Sequence, residues 1–265
     1  MPPVLDQILT SVRSRVAEAR QQLPLSQLTE AAEKTPRPRG FRRVLARAAE
    51  SGVAIIAELK KASPSRGLLR GSYPVGRLAL QFKESGAAAL SVLTEQDHFQ
   101  GALSDLREAS VAGLPCLRKD FIVDEYQLYQ ARAAAADAVL LIASALADPD
   151  YGRLYRKARE LGLDVLCEVH DSNELARTVA IGADMIGVNS RDLRTLTVRP
   201  ENHAELVGQL PASVLRVAES GIKTGDDLRR LHAAGYQAFL IGEILMTADD
   251  PGATLAQLIA DATPQ

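Results

Sequence analysis

Five places in this sequence put acids, amines or an amide directly after short apolar runs. Glu58 and Lys60 follow IIA, Arg118-Lys119-Asp120 follow PCL, and Glu168 follows VLC; Asn189-Ser190-Arg191-Asp192 follow IGV, and Glu219-Ser220 follow VA. Side chains two apart on a strand share a face, so Ile56, Glu58 and Lys60 line up. An isolated charge in a core costs several kcal/mol or more, so such groups must be paired or hydrated at a strand end. One charged strand end is a solvated rim. Five of them, mixing Lys with Glu, form a set of groups that perturb one another's pKa and supply general acids and bases near neutral pH. A second set concerns anions. ESGIKT (219–224) and IGEILM (241–246) each carry a glycine just after an apolar run, and Gly221 and Gly242 allow close approach of backbone N–H groups to a phosphate.

These residues need a scaffold that brings strand ends together. Apolar runs recur at 53–60, 88–94, 114–119, 137–143, 164–169, 184–189, 214–220 and 238–242. They lack polar alternation, as parallel strands buried on both faces should. Between them lie helical patterns such as 150–162, 172–182 and 224–235, opened by Asp, Ser or Thr and closed by Gly. Eight such units predict an α/β fold, a (β/α)₈ TIM barrel, with its active site at the C-terminal ends of the strands. A doubly wound sheet is the alternative, but the loop after the first run is ASPSRG, which does not match a dinucleotide fingerprint. Residues 1–50 do not fit the repeat. Leu5, Ile8, Leu9, Val12 and Val16 share one helical face, KTPRPRG (34–40) is a connector, and 41–52 form a second short helix. The expected organisation is a helical extension over 1–50, closing one end of a catalytic barrel over 51–265.

The 265 residues carry 31 Lys plus Arg against 33 Asp plus Glu, a net charge of −2 that favours neither nucleic acid nor an anionic membrane. The most apolar stretch, 133–147, is broken by Asp137 and too short to span a bilayer. Cys116 and Cys167 sit in apolar contexts and read as buried, inert thiols of a reducing cytoplasm. His98, His170, His203 and His232 are scattered without ligand spacing, so no metal is expected, and no Ser-His-Asp set is readable. A Schiff base on Lys119 is one possible chemistry. Residue types alone reach an acid–base barrel enzyme for a phosphorylated small molecule.

The motifs IAELKKASPSRG, SVLTEQDHFQG, LRKDFIVDEYQ, CEVHDSNEL, IGVNSRDL, AESGIKT and LIGEILM, in this order across the barrel, resemble the indole-3-glycerol phosphate synthase family of tryptophan biosynthesis. The resemblance implies a carboxy-lyase acting on 1-(2-carboxyphenylamino)-1-deoxyribulose 5-phosphate by ring closure, decarboxylation and dehydration, with no cofactor. It implies that Lys119 is the general acid of ring closure. Glu168, Glu58 and Lys60 would serve later proton transfers, without deciding among them for the dehydration, and Asn189 and Glu219 would position hydroxyls and tune the lysines. Substrate and phosphate would be held by Lys60, Ser63, Arg191, Ser220, Gly221, Gly242 and the backbone of Glu243. Pro64, Phe99, Phe121, Leu193 and Ile241 would wall the aromatic ring. Glu243 stands where some members have a hydroxyl residue; its carboxylate must turn aside from a phosphate. A monomer or weak homodimer is expected. Two other readings are a sugar-phosphate isomerase such as phosphoribosylanthranilate isomerase, which would rest on a Cys or Asp pair, and a catalytically silent phosphate-binding barrel, which could lose Lys119 or Glu168.

Overall fold

The computed structural model describes residues 4–262. Eight parallel strands close into a barrel, each paired with the next and the last with the first. They are β1 (Ala54–Leu59), β2 (Ala89–Leu93), β3 (Cys116–Lys119), β4 (Ala138–Ile142), β5 (Asp164–Val169), β6 (Met185–Asn189), β7 (Leu215–Glu219) and β8 (Ala238–Ile241). Each predicted apolar run contains one of them. Burial explains why the runs lack alternation: Ile55, Ala57 and Leu59 face the surrounding helices, whereas Ala54 and Ile56 face the barrel interior.

Three helices precede β1: α1 (Val4–Gln22), α2 (Leu25–Lys34) and α3 (Phe41–Ala49). The helix α2 is not foreseen by the sequence pattern. It starts after Pro24 with no side-chain cap and buries Leu28 and Ala32, so both its start signal and its apolar stripe are weak. The barrel helices are α4 (Val75–Glu84), α5 (Leu103–Ser110), α6 (Glu125–Ala133), α7 (Asp148–Glu160), α8 (Ser172–Ala180), α9 (Glu201–Val207) and α10 (Gly225–Ala233). After β8 come a short α11 (Glu243–Thr247) and then α12 (Pro251–Ala262). Of the capping signals read in the sequence, Thr224 is made, accepting from the Asp227 N–H at the start of α10; α8 is capped one residue earlier than expected, by Asp171, and α7 starts after Ala147 with no side-chain cap.

The barrel floor is sealed by α3. Phe41 and Leu45 have no exposed surface and share a core cluster with Ala54, Ala89, Ala138 and Ala238, the first residues of four strands. Alanines at those entrances leave the volume that the Phe41 ring and the Leu45 side chain take up. The connector before α3 is fixed by Asp137, whose carboxylate accepts from Arg39 N, Arg39 Nη1 and Cys116 N. Both cysteines are free and buried, and burial pushes each thiol up to about 12, which leaves them unreactive near neutral pH. No helix among the described residues is long and apolar enough to cross a membrane.

Candidate functional site

The C-terminal ends of the strands open onto a cavity of about 690 Å³. Its lining includes every site residue expected from the sequence: Glu58, Lys60, Ser63, Pro64, Phe99, Lys119, Phe121, Glu168, Asn189, Arg191, Leu193, Glu219, Ser220, Gly221, Ile241, Gly242 and Glu243.

Lys119 ends β3 facing inward because its neighbour Arg118 faces outward. The Arg118 guanidinium is buried in the barrel wall, donating to Thr94 Oγ1, Asp120 Oδ2 and the Gln127 carbonyl. Asp120 in turn accepts from the Phe121 N–H, which fixes the turn after the strand. The Lys119 ammonium donates to Glu168 Oε2 at 3.2 Å and lies 3.5 Å from Glu219 Oε2. Burial alone would favour the neutral amine. The negative charges of Glu168, Glu219 and Glu58 outweigh it and hold the pKa above that of an ordinary lysine. A Schiff base needs a free amine, so this environment favours a proton donor over a nucleophile.

The three glutamates are driven apart by their surroundings. Burial would raise Glu168, but Lys119, His170 and a hydrogen bond from Asn189 bring it below the usual carboxylate range. Asn189 Oδ1 accepts from the Arg191 N–H, which fixes that amide. Glu58 is also lowered: burial opposes ionisation, and Lys60, donating to Glu58 Oε1 at 2.6 Å, and Lys119 overcome it. Glu219 goes the other way. Burial and the adjacent Glu168 charge push it up to about 8, helped by a hydrogen bond with Glu168 that only the protonated carboxyl can donate. Near pH 7 the site therefore holds ionised and protonated carboxyls a few ångströms apart, a pairing suited to acid–base work.

The anion corner is built from two loops. After β7, Ser220 and Gly221 both take left-handed backbone conformations, with φ of 65° and 74°. That region is costly for a serine and is found where function imposes it. After β8, Gly242 leads into α11, whose first N–H groups have no partner within the helix. The Glu243 carboxylate is turned aside, gripped by Arg66 at 2.9 Å and Arg191 at 3.2 Å. Arg66 lies in the turn of a two-stranded ribbon, Ala62–Ser63 with Gly67–Leu68, that follows β1.

The aromatic wall shows what sequence reading missed. Phe99 and Phe121 stack at 6.2 Å, tilted by 41°. Phe99 is held by Glu95, a buried carboxylate that accepts from the N–H groups of Asp97, His98 and Phe99. Arg15 of α1 pairs with Glu95 and with Asp97, each at 2.5 Å. Glu95, Asp97 and His98 also bring ligand-type atoms within 4.8 Å of one another. The Glu95 oxygens are occupied by the loop's own N–H groups and Arg15, so the cluster serves the loop. His170 also reaches the site: its Nε2 lies 3.5 Å from Glu168 Oε1, and its Nδ1 is 3.2 Å from Glu174 Oε2. Burial disfavours its cation, but Glu174 and Glu168 raise its pKa overall. The sequence signal, a His two residues after Glu168, was visible, but its partner on α8 was not.

A family model described as indole-3-glycerol phosphate synthase matches residues 5–258. A protein of Koribacter versatilis (strain Ellin345) with that name is 56% identical over 230 residues, covering 86% of this chain and 88% of its own length. A protein of the same name from Polaromonas sp. (strain JS666 / ATCC BAA-500) is 44% identical over 260 residues, covering 97% and 98%. Among solved structures, thiamine phosphate pyrophosphorylase from Pyrococcus furiosus superposes with a TM-score of 0.57 at 17% identity, over 79% of this chain and 95% of that one. At that identity the likeness is one of fold.

Proposed function

This chain belongs to the indole-3-glycerol phosphate synthase family, and we propose that Lys119, held between Glu168 and Glu219, is the acid that opens its reaction. The enzyme converts 1-(2-carboxyphenylamino)-1-deoxyribulose 5-phosphate to indole-3-glycerol phosphate, with loss of carbon dioxide and water.

Ring closure joins the carboxylate-bearing ring carbon to the ketone carbon of the sugar chain. The C=O electron pair moves onto oxygen, which takes a proton from Lys119 and becomes a hydroxyl. The substrate nitrogen becomes an iminium. Carbon dioxide then leaves, its bonding electrons neutralise the iminium, and the ring regains aromaticity. Dehydration removes the new hydroxyl with a proton from an acid, while a base takes one of the two protons of the adjacent CH2, whose electron pair forms the new ring double bond. Glu58 and Glu168, both held ionised, are two bases of the cavity, and Lys60, hydrogen-bonded to Glu58, is an acid beside the first. Asn189 and Glu219 orient substrate hydroxyls and tune Lys119. The phosphate sits at Ser220, Gly221, Gly242 and the Glu243 N–H, with Lys60, Ser63 and Arg191 nearby. The anthranilate ring lies against Pro64, Phe99, Phe121, Leu193 and Ile241.

The observation that carries this reading is the placement of one ammonium within 3.5 Å of two carboxyls of opposite pKa displacement. The test is a fluorescence assay of indole-3-glycerol phosphate formation by the parent and Lys119→Ala. A loss of about 10²-fold or more is expected; undiminished turnover would remove Lys119 from the acid role. The division into an extension over 1–50 and a barrel over 51–265, a cytoplasmic location, and a monomer or weak homodimer complete the proposal. In support of the last, the exposed large apolar side chains among the described residues are Leu23 and Leu25, which lie together at the junction of α1 and α2, and Leu68, Leu80, Val111 and Val179 on four other segments; light scattering would test it.

A further inference from the structure

The inner face of β6 presents Met185, Gly187 and Asn189 in turn. Met185 belongs to the apolar filling of the barrel, and Asn189 stands at the mouth. Between them the strand has no side chain. Gly187 lies beside Glu168 in the register of β5 with β6, and one inward position below the Asn189–Glu219 pair in the register of β6 with β7. Its φ is not among the positive values, so the backbone does not demand glycine there. Glycine within a strand nonetheless weakens it, and a glycine at such a place marks the close approach of something else.

That something is a carboxyl. A Cβ at position 187 would overlap Glu219 Oε1 outright, come within 3.1 Å of Glu219 Cδ and lie 3.2 Å from Leu166 Cδ1. The side chain of Glu219 is buried, and the groups it meets, Lys119 at 3.5 Å and Glu168, stand beside that same space. We propose that Gly187 is a positioning residue for the reaction: the space it leaves empty is the seat of the Glu219 carboxyl, which can stand beside Lys119 and Glu168 because that seat is free. The inference rests on the reading of Glu219 as the group that tunes Lys119.

The test compares Gly187→Ala, Glu219→Ala and the double variant by thermal melting and by the fluorescence assay across pH. Gly187→Ala is expected to lower kcat by about tenfold or more, as the displaced carboxyl no longer meets Lys119. The alkaline limb of its kcat profile is expected at lower pH than in the parent, because the carboxyl leaves its buried place. In the Glu219→Ala background the same substitution is expected to change kcat by less than about threefold and to lower the melting temperature much less than in the parent, since only the Leu166 side chain then crowds the new Cβ. Parental kcat and pH profile in Gly187→Ala would overturn the proposal. So would losses in activity and melting temperature that recur undiminished when Glu219 is already alanine. If Gly187→Ala does not fold, the double variant decides: a folded one supports the seat and an unfolded one removes it. Glu219→Ala alone reports on the underlying reading. Parental turnover there would end the tuning role of Glu219, and the melting temperatures would still judge the seat.

Discussion

Glu219→Gln is expected to make the folded protein more stable and less active. Glu219 is pushed from 4.5 to about 8 by burial and by the charge of Glu168. Between those two pH values the native protein holds a proton that the unfolded chain has released. Linkage then gives the sign: the contribution of this group to stability is fully present below pH 4.5 and declines as pH rises through about 8. From 4.5 to pH 7, at about 1.4 kcal/mol per pH unit, the loss reaches about 3 kcal/mol. Glutamine keeps the shape and cannot titrate, so it escapes this decline. The stability difference between variant and parent should therefore grow by up to about 3 kcal/mol between pH 5 and pH 7. Urea unfolding followed by circular dichroism at several pH values from 5 to 8 measures it. Over the same range kcat of the variant should fall at least about tenfold below the parent, since a proton-exchanging group beside Lys119 is gone. Parallel stability curves for the two proteins would show that Glu219 is ionised when folded, and the proton inventory of the site would have to be redrawn.

Two further outcomes follow from the rim and the wall. Glu243→Gln releases Arg66 and Arg191 from a competing carboxylate at the anion corner. Inhibition by inorganic phosphate should then tighten by up to about fivefold, the scale of a partly exposed ion pair, with a steeper dependence on salt; weaker inhibition would mean that the carboxylate matters as a bridge between loops. Arg15→Ala removes the cation from Glu95 and Asp97 and loosens the loop that carries Phe99. KM for the substrate should rise several-fold, about 1 kcal/mol of lost ring contact, with kcat little changed; a fall in kcat at constant KM would contradict the role of α1 in holding the wall.

The sequence made the strands and their polar ends legible because both signals are local. A buried parallel strand is a short apolar run, and its C-terminal end is where polarity begins. What stayed hidden was made between distant segments. Glu95 sits in a quoted motif, yet its cation is Arg15, separated from it by 80 positions. Asp137 read as an interruption of an apolar stretch, whereas it ties Arg39 of the connector to Cys116 at the start of β3. The helix α2 lacked a side-chain cap and had a thin apolar stripe, so nothing local announced it. Gly187 stood inside the motif IGVNSRDL without a reason, because its reason is a side chain from the next strand.

Both ends of the barrel use small inward residues to admit something larger. At the floor, alanines 54, 89, 138 and 238 admit Phe41 and Leu45. At the mouth, Gly187 admits Glu219, and Gly242 admits Glu58, whose Cβ would lie 2.9 Å from a side chain placed there. The two arrangements depend on each other. Buried ions lose several kcal/mol of hydration each and regain it from partners whose attraction is strong where water is excluded. At the mouth, water can leave when substrate fills the cavity. Beneath the charged layer, exclusion must be permanent, and Ile56, Leu140, Leu166 and Met185, closed from below by α3, provide it. A floor opened by losing Phe41 would admit water under Lys119 and bring the pKa values of Glu168 and Glu219 back toward each other. On this argument the residues before β1 hold the proton inventory of the site in place without touching the substrate.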